Sequence, residues 1–254
     1  MKSFIGWIGG KNHLKKHIIP LIPAACDRYI EVCGGAGWVL FGKQQQKGQM
    51  EVFNDIDSDL VNLYRQIKYN CEELQKEIDW LQSRELFNTY RQEFHNNLPL
   101  SDLQRAARYL YLIRCSFGCN RKSFSTRPSR VFNVIDILPE YQQRLKDVII
   151  ENRDFESLIN TYDRPSALFY VDPPYVGSEQ YYNKQYCSFN SDDHKRLYDC
   201  LKAIKGKFIL TYNDCEFVHG LYKEYTIRRV SRSNLLPAKT ESREEYKEVI
   251  ITNY

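Results

Sequence analysis

The sequence predicts an α/β fold, a mostly parallel sheet interrupted by a mainly helical insertion. Three features carry this. The apolar run Ala167-Leu168-Phe169-Tyr170-Val171 stops at two consecutive prolines. An earlier strand-like run opens into a cluster of glycines, and a second strand ends in an acid about 20 residues later. Between these halves lies a stretch of helical periodicity far longer than any strand crossover requires.

Taken in order, the chain begins with Phe4-Ile5-Gly6-Trp7-Ile8-Gly9-Gly10-Lys11 ahead of a short amphipathic helix. Leu14, Ile18, Ile19 and Ile22 face the core there until Pro20 and Pro23 end it. A phosphate loop is excluded, because Ile5 stands where its first glycine is required and Asn12 where serine or threonine should be. Arg28-Tyr29-Ile30-Glu31-Val32-Cys33 is a strand running into Gly34-Gly35-Ala36-Gly37, where small residues let the backbone approach a ligand. Met50-Glu51-Val52-Phe53-Asn54 is the next strand. It ends at Asp55, where a carboxylate grips ribose hydroxyls in Rossmann-type sites. Together these point to an adenosine-bearing cofactor. The glycines do not spell the dinucleotide fingerprint, which favours S-adenosylmethionine over NAD.

Leu60, Leu63, Tyr64, Ile67, Leu74, Ile78 and Leu81 recur at helical spacing, and Ser101-Asp102-Leu103-Gln104 is a capping box opening another helix. From Arg114 to Arg130 the basic residues Arg114, Arg121, Lys122, Arg127 and Arg130 stand without an acid among Phe117, Asn120 and Phe124. This composition suits a loop or hairpin facing DNA, with cations for phosphates and polar groups for base edges. Val148-Ile149-Ile150 is a further strand, followed by Asp154-Phe155. Phe208-Ile209-Leu210-Thr211-Tyr212-Asn213 is another, followed by the basic residues Arg228, Arg229 and Arg232.

The mouth of the 167–171 strand, Asp172-Pro173-Pro174-Tyr175, is the chemical focus. Proline lacks an N–H and fixes its φ, so the pair makes a stiff turn. Asp172 and the Pro173 carbonyl are then adjacent acceptors for the two hydrogens of a planar amine, with Tyr175 as a stacking face. Adenine, cytosine and a glutamine amide all offer such an amine. Acceptors that favour a tetrahedral nitrogen help most in the transition state, where that nitrogen becomes cationic.

The tetrapeptide resembles the motif Asp/Asn/Ser-Pro-Pro-Tyr/Phe/Trp of amino methyltransferases, and its leading aspartate is similar to the adenine-N6 branch. Trp7-Ile8-Gly9-Gly10-Lys11, Glu31-Val32-Cys33-Gly34-Gly35, Asn54-Asp55 and Asp172-Pro173-Pro174-Tyr175 follow the order found in Dam-like DNA adenine-N6 methyltransferases, the D12 class. The tail Arg243 to Tyr254 resembles that family's closing strand.

The resemblance implies a Rossmann-like, S-adenosylmethionine-dependent sheet formed by residues 1–59 and 146–254, with a target-recognition insertion over 60–145. It implies cofactor contacts from Trp7, Lys11, Glu31, Gly34, Gly35, Asp55, Asp154, Phe155 and Asp172. Catalysis is assigned to Asp172, Pro173, Pro174 and Tyr175, acting on a flipped-out adenine of duplex DNA. A restriction endonuclease acting on the same site is an implied functional counterpart, not a physical partner, and a monomer is expected. The members that methylate GATC carry Pro-Phe-Gly and a basic residue in the hairpin. Here Phe124-Ser125-Thr126-Arg127-Pro128-Ser129-Arg130 stands instead, so no recognition sequence carries over. Transfer to another planar amine, cytosine N4 or an RNA base among them, and a catalytically inactive DNA-binding relative are the rival readings.

Composition agrees with a soluble globule, 43% hydrophobic and 27% charged over 254 residues. Thirty-six Lys and Arg against 32 Asp and Glu give a net charge of only +4, so a DNA surface has to come from local clustering. The eight cysteines form no Cys-x-x-Cys pair and no His-Glu-x-x-His is present, so no metal is expected. The cysteine spread and the start at Met1-Lys2-Ser3-Phe4 suggest a reduced cytoplasmic protein. No segment reaches the roughly 18 apolar residues of a membrane span.

Overall fold

The structure, a computed structural model, describes residues 1–127, 131–178, 189–232 and 246–254. Strands β1 (Arg28–Glu31), β2 (Met50–Asn54), β3 (Val148–Glu151), β4 (Ala167–Val171), β5 (Lys207–Asn213), β6 (Thr226–Arg232) and β7 (Tyr246–Thr252) form one sheet in the order β3-β2-β1-β4-β5-β7-β6. The first five run parallel. β7 lies antiparallel between β5 and β6, pairing Glu248 with Asn213 on one side and Val230 on the other.

The central parallel strand β4 is apolar on both faces because both are covered. Along β4, Leu168 and Tyr170 enter one core while Ala167, Phe169 and Val171 enter the other. The second core is closed by α9 (Phe155–Tyr162), α10 (Ser191–Ala203) and α11 (Glu216–Leu221). The first is closed by the N-terminal segment with α1 (Lys15–Ile18), by α2 (Trp38–Gly42), and by α3 (Ser58–Tyr69), α4 (Cys71–Glu77), α5 (Arg84–His95), α6 (Asp102–Cys115), α7 (Val131–Ile135) and α8 (Leu138–Leu145). The strand order reverses between β1 and β4, so their carboxyl ends flank a crevice of the kind in which open α/β sheets bind ligands.

The helices start where local chemistry places them. Asp57 caps α3 by accepting from the amides of Asp59 and Leu60 at 3.1 and 3.2 Å, and the capping box of Ser101 and Gln104 opens α6. The helical periodicity from Leu60 to Leu81 differs from one continuous helix. Asn70 leaves helical geometry at φ −133°, and α4 stops at Glu77. Ile78 is still buried, but Leu81 is 70% exposed, because the chain there turns to offer its carbonyl to Tyr111 Oη at 2.7 Å. The N-terminal helix likewise stops at Ile18, giving way to a 3-10 turn around Pro20. Ile18 is buried, while Ile19 and Ile22 are half-buried.

Residue 60, the expected start of the insertion, falls within α3. This helix packs on the sheet: Tyr64 stacks on Phe53 of β2 at 4.1 Å, and Lys68 Nζ donates to the Val148 carbonyl at 2.7 Å. At the far end, Arg144 of α8 is buried against Glu51 of β2 at 2.6 Å and donates to the Leu40 carbonyl at 2.7 Å. Lys43 binds the same carboxylate. Among the described residues no helix is long and apolar enough to cross a membrane.

Candidate active site

Asp172 follows directly on β4 and keeps 19% of its side chain exposed. Lys11 Nζ lies 2.9 Å from its Oδ1, and Thr211 of β5 donates to the same oxygen at 2.7 Å. Burial raises the carboxyl pKa, Lys11 and Thr211 oppose that rise, and Glu248 adds to it. Lys11 also donates to the Gly9 carbonyl at 2.6 Å and sits 4.6 Å over the ring of Tyr175. Tyr175 is buried and donates to Glu248 Oε1 at 2.6 Å. Its ring, expected as an open stacking face, is therefore under the Lys11 ammonium. Pro173 and Pro174 are buried as well, with Pro174 in the cavity wall. Beyond them Asn213 clamps Val176 from both sides, accepting from its amide and donating to its carbonyl at 3.1 Å each.

The glycine turn is built equally tightly. Gly34 N donates to the Asn54 carbonyl at 2.7 Å, with the Phe53 ring directly beneath, so any Cβ at Gly34 would collide with that ring. Gly35 has φ +50°, and a Cβ there would stand 2.9 Å from Trp7 Nε1. Its amide donates to Asp55 Oδ2 at 2.8 Å, and the Asp57 amide donates to Asp55 Oδ1 at 2.9 Å. Asp55 thus shapes the turn as well as facing the cavity, and burial pushes its carboxyl up to about 6. Glu31 is 1% exposed and accepts from Tyr29 Oη at 2.8 Å. Burial pushes it up to about 8, which makes it chiefly a neutral acid at pH 7.

Asp154 caps α9 through the Glu156 amide at 3.0 Å. Arg196 of α10 grips both its oxygens at 2.9 Å and lies 4.1 Å over the ring of Phe155. Burial works to raise the Asp154 carboxyl, but its bonds to Arg196 and to backbone amides hold it below the usual range.

The basic segment forms a small hairpin off α6. Ser116 bridges Phe124, and Ser125 N donates to the Cys115 carbonyl at 2.8 Å. Arg114 is half-buried, its guanidinium pKa lowered by that burial. Lys122 and Arg127 are exposed. Their carbonyls accept from Arg91 at 2.7 Å and Gln82 at 2.9 Å. Arg121, expected to face DNA, lies with its guanidinium 3.1 Å from Asp57. Arg130 lies outside the described residues. Of the second basic group, Arg228 and Arg229 are exposed on β6, with Arg229 Nε donating to Asp214 at 3.0 Å.

One cavity of about 540 Å³ unites most of these groups. Its wall includes Trp7, Gly35, Asp55, Phe155 and Asp172 from the sheet side and Lys122 from the hairpin off α6. Lys11, Glu31, Gly34, Asp154 and Arg121 also reach it. The profile of the D12 class N6 adenine-specific DNA methyltransferases matches residues 7–234, which includes both the glycine turn and the Asp172 turn. The chain belongs to this class.

The D12 chain is 29% identical to a type II methyltransferase of Lactococcus lactis subsp. cremoris, M1.LlaDCHI, over all of its own length and 96% of the relative. It is 29% identical to the type II methyltransferase M.CviBI of Paramecium bursaria Chlorella virus NC1A, covering 89% and 88% of the two chains. It is 24% identical to a DNA adenine methylase of Haemophilus influenzae, covering 98% and 92%.

A D12 methyltransferase draws its methyl group from S-adenosylmethionine, and the cavity suits that molecule. Its volume lies in the ordinary range for small-ligand sites. Gly34 and Gly35 line the cavity with backbone alone, Asp55 offers acceptors suited to a diol, and Phe155 offers an apolar ring. Three contributors were not singled out as site residues in the sequence: Thr211, Glu248 and Arg196. Glu248 left a trace as an acid directly before the apolar Val249-Ile250-Ile251, and Thr211 as a polar residue inside an apolar strand. Arg196 left none, since it meets Asp154 only through the packing of α10 on α9.

Proposed function

We propose that this D12 enzyme methylates N6 of an adenine rotated out of duplex DNA. The base edge would lie at Asp172 and the methyl donor along the mouths of β1 and β2. The supporting observation is that the Asp172 carboxylate, fixed by Lys11 and Thr211, opens into the same cavity as Gly35 and Asp55.

Adenine N6 is paired and stacked in the duplex, so the base has to leave the stack to be reached. S-adenosylmethionine, when bound, supplies an electrophilic sulfonium methyl group. Oδ1 of Asp172 already receives Thr211 and faces Lys11, which leaves Oδ2 to accept one N6–H while the Pro173 carbonyl accepts the other. These acceptors favour the tetrahedral nitrogen that forms as its lone pair moves into the new N–C bond. The amine becomes strongly acidic only at that stage, and Asp172 then takes up the proton that N6 releases, directly or through water. Lys11 and Thr211 favour the accepting form of Asp172, opposing the burial that raises its pKa. For the base to stack on Tyr175, the Lys11 ammonium has to leave the ring face it covers.

Trp7, Gly34, Gly35, Asp55, Asp154 and Phe155 would hold the donor, with Glu31 beneath as a buried neutral acid. The insertion, residues 60–145, would recognise the target, with Lys122 and Arg127 as exposed cations of its hairpin. A cytoplasmic monomer with a cognate endonuclease as functional counterpart completes the reading.

Incubation with methyl-labelled S-adenosylmethionine and unmethylated genomic DNA, followed by nucleoside analysis, tests it. Label is expected in N6-methyladenine at a fixed sequence. Label in N4-methylcytosine, in RNA or in protein, or none at all, would overturn it.

A further inference from the structure

Arg121 sits on the insertion's hairpin, yet its side chain points at the sheet. Nη1 lies 3.1 Å from Asp57 Oδ2 and also meets Tyr109 Oη, which itself donates to that Asp57 oxygen at 2.8 Å. The guanidinium is sandwiched between aromatic rings, 4.8 Å from Tyr109 and 5.3 Å from Trp7. Its backbone is in the left-handed region at φ +59°, where a side-chain-bearing residue rarely rests. The side chain is 22% exposed, little for an arginine meant to meet phosphate.

What Arg121 holds is the start of a chain of contacts to the cofactor end of the cavity. The Asp57 carboxylate caps α3, the Asp57 amide donates to Asp55 Oδ1, and Asp55 Oδ2 accepts from Gly35 N. Trp7, the other surface against Arg121, packs on Gly35 from the opposite side. A single guanidinium therefore braces both supports of the glycine turn, and it does so from the segment expected to read DNA.

We propose that Arg121 is a positioning residue for the methyl donor, latching the hairpin onto Asp57 and Trp7 so that the Gly35–Asp55 turn is ready to bind, and not a DNA contact. This deepens the proposed adenine-N6 methyltransferase function and rests on it. The electrostatics agree. Asp55 and Asp57 are buried acids close together; burial raises the pKa of both, Asp57 adds to the rise at Asp55, and Arg121 opposes the rise at each. Other groups facing the pair among the described residues include Tyr64, Tyr109 and Asp59, the last already paired with Arg105. Without Arg121, Asp55 protonates at higher pH and is lost as an acceptor for a diol. Because the latch lies between hairpin and pocket, a hairpin displaced by DNA would also disturb donor affinity, and by linkage the donor would favour the DNA-competent hairpin.

The test is calorimetric binding of S-adenosylhomocysteine without DNA, beside DNA binding without cofactor, for the full chain and its Arg121→Met, Arg121→Lys and Asp57→Asn variants. Arg121→Met is expected to weaken S-adenosylhomocysteine about tenfold or more while changing DNA affinity less than about twofold. Arg121→Lys, which keeps the charge beside Asp57, should recover part of the loss. Arg121→Met and Asp57→Asn combined should cost less than the product of the separate losses, as coupled groups do. The pH at which binding fails should move upward in Arg121→Met, a readout that mere loosening of the fold would not move. Unchanged S-adenosylhomocysteine affinity, or a salt-dependent loss of DNA affinity instead, would overturn the latch. Failure of the broader reading is distinct: the unaltered protein would not bind S-adenosylhomocysteine at all.

Discussion

Asp172 concentrates three influences in one carboxylate: burial that favours the neutral acid, a lysine that favours the anion, and an open side toward the cavity. Asp172→Ala should lower kcat at least about a hundredfold, the scale of a lost transition-state acceptor. Its affinity for S-adenosylhomocysteine should stay within a few-fold, so single-turnover rates beside calorimetry separate the two effects. A near-normal rate would remove the acceptor role. Asp55 behaves differently, because its carboxyl is pushed from 3.8 to about 6 by burial. The ionised acceptor is present above that pH and lost below it, so cofactor affinity should fall as pH drops from 7 to 5. A flat profile would remove Asp55 from the diol site. The sign for stability is opposite. A folded carboxyl above its unfolded pKa favours folding below about 3.8, and that contribution is lost as pH rises through about 6.

Between β1 and α2 the glycine turn has no slack, since its backbone lies on Phe53, whose ring stacks on Tyr64. Gly34→Ala should destabilise the protein by about 1–3 kcal/mol through overpacking. That is a fall of several degrees in Tm for a chain of this size, and it should weaken donor binding too. A melt unchanged from the parent protein would show that Phe53 can move aside. The strands bearing this turn were legible in the sequence because their runs are apolar, bounded and of ordinary length. β2 and β4 fall where those runs stand, while β1, β3 and β5 differ by a residue or two at an end. The long helical stretch was less exact, since periodicity does not reveal that Asn70 breaks the chain into α3 and α4 or that Leu81 faces solvent.

Across the molecule, the glycine turn, Asp172 and Lys122 of the hairpin line one cavity, so the proposed cofactor and target surfaces are neighbours. Lys122 and Arg127 are exposed cations of the hairpin off α6. Replacing both by alanine should weaken DNA binding in a salt-dependent way. The slope of log affinity against log salt should flatten by about two, near 0.9 for each phosphate that is no longer neutralised. An unchanged slope would take the hairpin tip off the DNA. The net charge of +4 makes such local placement decisive, because bulk attraction is weak.

The positions of the strands along the chain, the rigid Asp172-Pro173-Pro174-Tyr175 turn, the glycine mouth of β1 and the acid ending β2 were all readable as local chemistry, since each depends on neighbours within a few residues. Residues far apart in the chain complete the site through packing. β7 inserts between β5 and β6 and so brings Glu248 to Tyr175. Thr211 reaches Asp172 across adjacent strands, and α10 carries Arg196 to Asp154. The direction of Arg121 belongs with these. A run of cations in sequence says only that positive charge is present, whereas a buried acid such as Asp57 decides which of them turns inward, because an unpaired carboxylate there would cost more than the hydration Arg121 gives up.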